Sequence, residues 1–465
     1  MRHTILVAVL CCVWAQPITA ATYFISPTGS DSNDGTSTGS AWASPKHSLN
    51  CGDVIIAASG TYSASNFYTG KWGTVTCPAG NNVAWLQCAT FDTCKISSTT
   101  SDGMWVDQSY WGVEGWEVTT SENIYGACFH AGPSSGSVHH IIFTNNVANG
   151  CMGGGFNAYD KSASASVDYI VYVGNIAYNS TQESGACYSG LNTYQPIASD
   201  TNPGTHMYIA GNFSYRNMEP STCSGTAPTD GEGVNLDTFD FRNGGGTPYV
   251  QQAVVQNNIL VGNGGRAVEI ENNNAASGQA PIFIKYNTTY GNNAAPTGAY
   301  CQGNGEISLV SAYKVQVTNN LVQTAAASGC SGDSIFGLEV SQSNNTTVVD
   351  NNWVAGLSGN NTFLYASQSF AYGSANVFGV SPAFANPTIP LAPSCAGSAN
   401  VPACMATLIA NFKPSTDEAQ SYGYQPPTTA EVYDPLFPQW LCSVNLPSGL
   451  VTMGCFQLHL TVSVS

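Results

Sequence analysis

Four carboxylates fall within eleven residues of the stretch TDGEGVNLDTFDFRNGGG, at Asp230, Glu232, Asp237 and Asp240. The whole chain holds 28 acidic residues in 465, and only 8% of its residues are charged. Clustered carboxyls can do two kinds of chemistry. Held close together, like charges raise one pKa and leave a proton donor beside an ionised base or nucleophile. Arranged around an oxygen-lined pocket, they ligate a hard cation such as calcium. The plain alternative, open for Asp230 and Glu232, is a solvated turn rich in glycine and acid. The elements that carry these residues decide among the three.

Six segments share one alternating pattern: GFNAYD, GLNTYQ, GVNLDT, AVEIEN, EISLVS and GLEVSQ. Period-two alternation reads as short strands with one buried face. Val234 and Leu236, Val268 and Ile270, and their counterparts point inward. One outward column then holds Asn157, Asn192, Asn235, Glu269, Ser308 and Glu339. The other holds Tyr159, Tyr194, Asp237, Glu271, Val310 and Ser341. With parallel neighbours about 4.8 Å apart, Asp237 should lie beside Glu271, with Glu269 on its diagonal. Asp237, Glu269 and Glu271 are thus candidate catalytic residues. Tyr159, Asn192 and Asn235, together with Tyr194, form a surface suited to stacking on and bonding to sugar rings.

The strands recur because the chain repeats. IIFTNNV, YVGNI, YIAGNF, AVVQNNI, FIKYNTT, VQVTNNL and VVDNNW align with Asn146, Asn175, Asn212, Asn258, Thr288, Asn320 and Asn352 in one column, spaced 29 to 46 residues apart. The position before each is Asn or Gly, the residue types that best tolerate a left-handed turn. Stacked coils with an internal asparagine ladder predict an all-β chain, a single-stranded right-handed parallel β-helix. In this register Asn212 is buried, so its N-glycosylation sequon should carry no glycan. Residues 1–20 read as a cleaved signal peptide, 21–370 as the β-helix, and 371–465 as a Pro- and Cys-rich cap on the last coil.

Composition narrows the partners. A net charge of −17, with eleven Lys plus Arg, repels nucleic acid and anionic membranes. Sixteen cysteines, two of them within the leader, leave an even number in an exported chain and favour disulfides. Sequence neighbours suggest Cys51–Cys77, Cys88–Cys94, Cys128–Cys151, Cys187–Cys223, Cys301–Cys330, Cys395–Cys404 and Cys442–Cys455. Sequons at Asn179, Asn212, Asn287, Asn344, Asn345 and Asn360 suit a secreted, monomeric glycoprotein.

The opening TYFISPTGSDSNDGTSTGSAWASP, followed by NCGDVIIAASGTY, resembles the start of secreted β-helix carbohydrate-active proteins, including family-nine-like pectate lyases. The central run SGLNTYQP, TDGEGVNLD and NNILVGNGGRAVEI is similar to bacterial β-helix proteins described as pectate- or alginate-lyase-like. That resemblance picks out Tyr194, Asp230, Asp237 and Arg266, while Glu269 and Glu271 depart from the group's histidine and aromatic. It implies a polysaccharide lyase: calcium at Asp230, Asp237 and Glu271 would offset a uronate, with Arg266 as base or clamp and Tyr194 as proton donor. Lys161 is a more distant candidate for the base. No organic cofactor is implied. A glycoside hydrolase using Asp237 with Glu271 or Glu269 is the alternative. Asn235-Leu236-Asp237 matches the Asn-x-Asp element of polygalacturonases, whose other elements are absent. A non-catalytic polysaccharide-binding coil is the third reading.

Overall fold

The computed structural model describes residues 20–78, 82–100, 102–121, 126–134, 136–159, 167–182, 187–220, 230–240, 247–274, 278–295, 304–326, 335–341, 346–357, 364–366, 372–393, 395–425 and 436–443. The leader therefore lies outside the described residues but for Ala20. Among the described residues, parallel strands stack into three long sheets of nine, eleven and eleven strands. One coil shows the path: Val234–Asp237 lies in the first sheet, Gln252–Gln256 in the second and Ile259–Val261 in the third. The chain then returns to the first sheet at Val268–Asn273. It is a parallel β-helix.

Alternation within each short strand sends every second residue into the coil. Val234, Leu236, Val268, Ile270 and Ile307 are all fully buried, each worth roughly 1.5–3 kcal/mol relative to exposure. Phe129 and Phe156 stack inside on neighbouring rungs with ring centroids 4.7 Å apart.

An asparagine ladder runs through the turn between the second and third sheets. The Asn212 amide donates to Tyr172 O at 2.9 Å and to Asn258 Oδ1 at 3.0 Å. Its own oxygen accepts from the backbone and side chain of Asn175. Asn212 is fully buried. One rung differs from the expected column: Asn287, not Thr288, continues the ladder, bonding Asn258 and Asn320. Thr288 pairs instead with Ile259 and Leu321 on the third sheet. The reason is that Tyr286, rather than an Asn or Gly, takes the left-handed turn there, at φ 56°. The ladder's amide bonds outweigh the modest strain of one left-handed tyrosine.

A second ladder five residues on joins Ser180, Asn217, Asn263 and Asn292, and ends at Glu306. It borders the first sheet and braces the loops leading into it.

In the described parts of the C-terminal segment, Val377–Phe378 pairs with Trp353–Ala355 as the last strand of the third sheet and Asn376 extends the ladder from Asn352, while later parts lie along the flanks of the coil. Val401, Met405, Leu408 and Phe412, from Val401–Cys404, Ala406–Asn411 and the residues beside them, pack on Val147, Ile176, Phe213 and Ile259 of the third sheet. Phe437 and Leu441 cover Ile142, Val171, Tyr208 and Val254 on the second. Those outward faces are apolar and require a cover. The first sheet has a polar outer face and is left to the site.

Disulfides form at Cys51–Cys77, Cys88–Cys94, Cys128–Cys151 and Cys395–Cys404. Cys187 is disulfide-bonded. Its expected pairing with Cys223, and those of Cys301–Cys330 and Cys442–Cys455, involve positions outside the described residues. Among the described residues, no helix is long and apolar enough to cross a membrane.

Candidate active site

The first sheet brings the predicted columns together in the predicted register. Tyr159 pairs with Tyr194, Tyr194 with Asp237, and Asp237 with Glu271. Beside them run Asn157, Asn192, Asn235 and Glu269. Strand Val234–Asp237 therefore carries the central acid, and Val268–Asn273 carries the other two.

The two columns differ in exposure. Tyr159, Tyr194, Asp237 and Glu271 are partly exposed. Asn192, Asn235 and Glu269, expected on the solvent side, retain only 6%, 4% and 4% of their surface. Glycine-rich chain returning from the third sheet crosses beside Glu232. At Gly265 a Cβ would sit 2.4 Å from Glu232 Oε1, so a larger residue there would displace that carboxylate.

Under that crossing lies an ion cluster. Arg266 Nη1 donates to Glu232 Oε1 at 3.4 Å and to Glu269 Oε2 at 3.2 Å, and Nη2 to Asn304 Oδ1 at 3.2 Å. Ser189 Oγ donates to Glu232 Oε2 at 2.8 Å. Glu232 is fully buried, so it is not a solubilising turn residue. Burial pushes the pKa of both glutamates up, against the pull of the guanidinium. One cation facing two buried carboxylates leaves a negative charge that a shared proton removes. Arg266 thus bridges Glu232, Glu269 and Asn304, and Glu269 is its buried partner.

Asp237 and Glu271 are the neighbouring pair of carboxyls left partly exposed. Burial, then the charge of Glu271, pushes the Asp237 pKa up to about 7, although Thr238 Oγ1 donates to its Oδ1 at 2.6 Å. A partly exposed carboxylic acid that holds its proton near neutrality sits next to a second carboxylate. The charge of Asp230 raises Asp237, Glu232 and Glu269 alike. The backbone N–H of Asp230 donates to Glu219 Oε2 at 3.3 Å.

On the other side, aromatic rings continue the groove. Trp105 stacks on His130 at 4.6 Å, and His130 stacks on Tyr159 at 4.8 Å. Asp102 holds His130 Nδ1 at 3.2 Å. The alternation pattern did not extend to these rungs, so sequence reasoning missed them. It also missed the second ladder, although the spacing of Asn212 to Asn217, Asn258 to Asn263 and Asn287 to Asn292 repeats in the chain.

The set expected to bind calcium, Asp230, Asp237 and Glu271, does not converge. Among the described residues, no group of three or more His, Cys, Asp or Glu side chains is arranged to hold a metal ion. Lys161 lies outside the described residues.

No family model and no curated protein matches the chain. Among solved structures, the chain is similar to the pectate lyase Pel9A at 14% identity and a TM-score of 0.41, over 90% of this chain and 92% of that one. It is also similar to XylC, solved with xylose, at 9% identity and a TM-score of 0.47, over 77% and 74% of the two chains. A lacto-N-biosidase from Eubacterium ramulus aligns at 11% identity and a TM-score of 0.45, over 77% of this chain and 68% of that one.

Proposed function

We propose that the protein is an exported glycoside hydrolase acting on a polysaccharide, with Asp237 as general acid and Glu271 as nucleophile. The observation that carries this reading is the adjacency of the two on neighbouring rungs, with Asp237 pushed up to about 7 and still partly exposed. Rungs about 4.8 Å apart hold two such carboxyls near the ~5 Å separation used for a double displacement. Inverting enzymes need roughly 6.5–9.5 Å, to leave room for a water. In the first step Asp237 gives its proton to the glycosidic oxygen as the bond to the anomeric carbon breaks. A Glu271 oxygen attacks that carbon and forms a glycosyl ester. Asp237, now a carboxylate, takes a proton from water, whose oxygen displaces Glu271. Tyr194 and Tyr159, partly exposed in the same column, flank this pair.

β-Elimination on a uronan, the first expectation from the sequence, has thinner support. It needs a group to neutralise the uronate and a free base. Arg266 is held by Glu232, Glu269 and Asn304, and the calcium set is not assembled. The disulfides suit an oxidising, extracellular setting.

A panel of polysaccharides, read for reducing ends and for the ultraviolet absorbance of unsaturated uronides, tests the reading. Reducing ends without that absorbance, and their loss in Asp237→Asn, are expected. Unsaturated product would replace hydrolysis with elimination.

A further inference from the structure

A separate face of the coil holds a cavity that the carboxylate pair does not use. Where the chain enters the second sheet, Tyr110, His140, Tyr169 and His206 form a row of rings, the first pair tilted and the others stacked, with centroids 4.8, 4.1 and 3.7 Å apart. The first three occupy left-handed turns, at φ 67°, 58° and 51°. Each such residue costs of order 1 kcal/mol or more, and persists only where its surroundings hold it. Bulky rings rather than glycines therefore sit in strained positions on three successive rungs.

The far wall comes from the C-terminal segment. Phe437 and Leu441 anchor that segment on the sheet, and Thr205 Oγ1 donates to Leu436 O at 2.7 Å. Trp440 meets His140 and Tyr169 edge-to-face at 4.8 and 5.9 Å. Between the walls lies a cavity of ≈ 390 Å³, within the range of small-molecule sites. Asp200, Asn202, Gln252 and Gln439 line it alongside the rings. Asp200 accepts the Tyr169 hydroxyl at 3.0 Å and the Asn202 amide at 2.8 Å, which fixes the polar rim. His206 is saturated by Asp168 and by Asn202 O, so it supports the stack rather than reacting.

The lining selects the ligand. Among the described residues no lysine or arginine borders the cavity, so an anionic group finds no counter-charge from them. Burial and the neighbouring His139 press His140 down to about 3, which keeps it neutral. What remains is an aromatic wall opposite amides and one carboxylate, the combination that receives a ring with an apolar face and hydroxyls around its edge. We propose that this cavity is a second saccharide site, taking one neutral sugar ring on a different face of the coil from the carboxylate groove. It would hold a chain, or anchor the protein on a glycan surface, without cleaving it.

A local probe tests this independently of any hydrolysis. Full-length protein labelled with 5-fluorotryptophan is titrated with glucose, galactose, mannose, xylose and their β-1,4-linked trimers. The Trp440 signal is identified by its loss in Trp440→Phe. A saturable shift of that signal by at least one sugar is expected, with affinity several-fold weaker in Asn202→Ala and reducing-end release unchanged in that variant. A Trp440 signal unmoved by the whole panel would overturn the proposal. So would an equal affinity in Asn202→Ala, or a response to choline chloride in place of the sugars.

Discussion

Replacing Asp237 by Asn keeps its shape but removes the proton it donates and the charge it would acquire. Two separable effects follow. In catalysis, loss of a positioned general acid typically costs 10²–10⁴-fold in rate, so kcat/KM should fall by about that factor on the best substrate. The wild-type profile should lose activity as pH rises through about 7, where the acid ionises, and the residual activity of the variant should lack that limb. In stability, the folded pKa lies above the unfolded value of 3.8. Folding therefore holds the proton more tightly, and the wild type loses stability as pH rises from about 4 to about 7. A shift from 3.8 to about 7 corresponds to about 4 kcal/mol as an upper bound. Solvent at the exposed edge and salt acting on the Glu271 charge bring the expected value nearer ~2 kcal/mol. Asp237→Asn should thus unfold at the same temperature as wild type near pH 4 and at a higher one near pH 8. Thermal melts across that range, run beside initial rates, measure both. A melting difference that stays flat with pH, or a variant with full activity, would refute the assignment of the buried proton to Asp237.

Other outcomes follow from the same geometry. Arg266→Met leaves Glu232 and Glu269 buried without their cation, at a cost of about 3–5 kcal/mol. Because both glutamates have raised pKa values, the cost should be larger at pH 8 than at pH 5 in melts. Glycopeptide mapping should find Asn212 and Asn287 unmodified, since both are fully buried in the ladder. Full occupancy at either would contradict the ladder register. Asn212→Ala removes bonds to Asn175, Asn258 and Tyr172, and should cost about 3 kcal/mol or more in denaturant melts. Incubation with a chelator should leave the rate of reducing-end release unchanged, because the proposed chemistry runs on two carboxyls.

The strand columns were legible before any coordinates because period-two alternation is a local property of the chain. Parallel stacking then carries it across rungs, so Asp237 beside Glu271 and Asn235 beside Glu269 could be read from aligned segments alone. The ladder was legible for the same reason, except where Tyr286 took a turn position that propensity reserves for Asn or Gly. Propensity is a small energy, and a buried amide seeking its partners is a larger one. What alternation could not show is which outward side chains a returning loop would cover. The burial of Glu269 and Glu232, the packing of Gly265 against Glu232 and the capture of Arg266 between the two glutamates depend on where the chain crosses after leaving another sheet. Trp440 meets Tyr169 from the far end of the chain, and no spacing rule reaches that distance. Local periodicity fixed the neighbours of each residue; only the closed coil, with its loops and tail folded back on it, decided which of them meet water and which hold a proton.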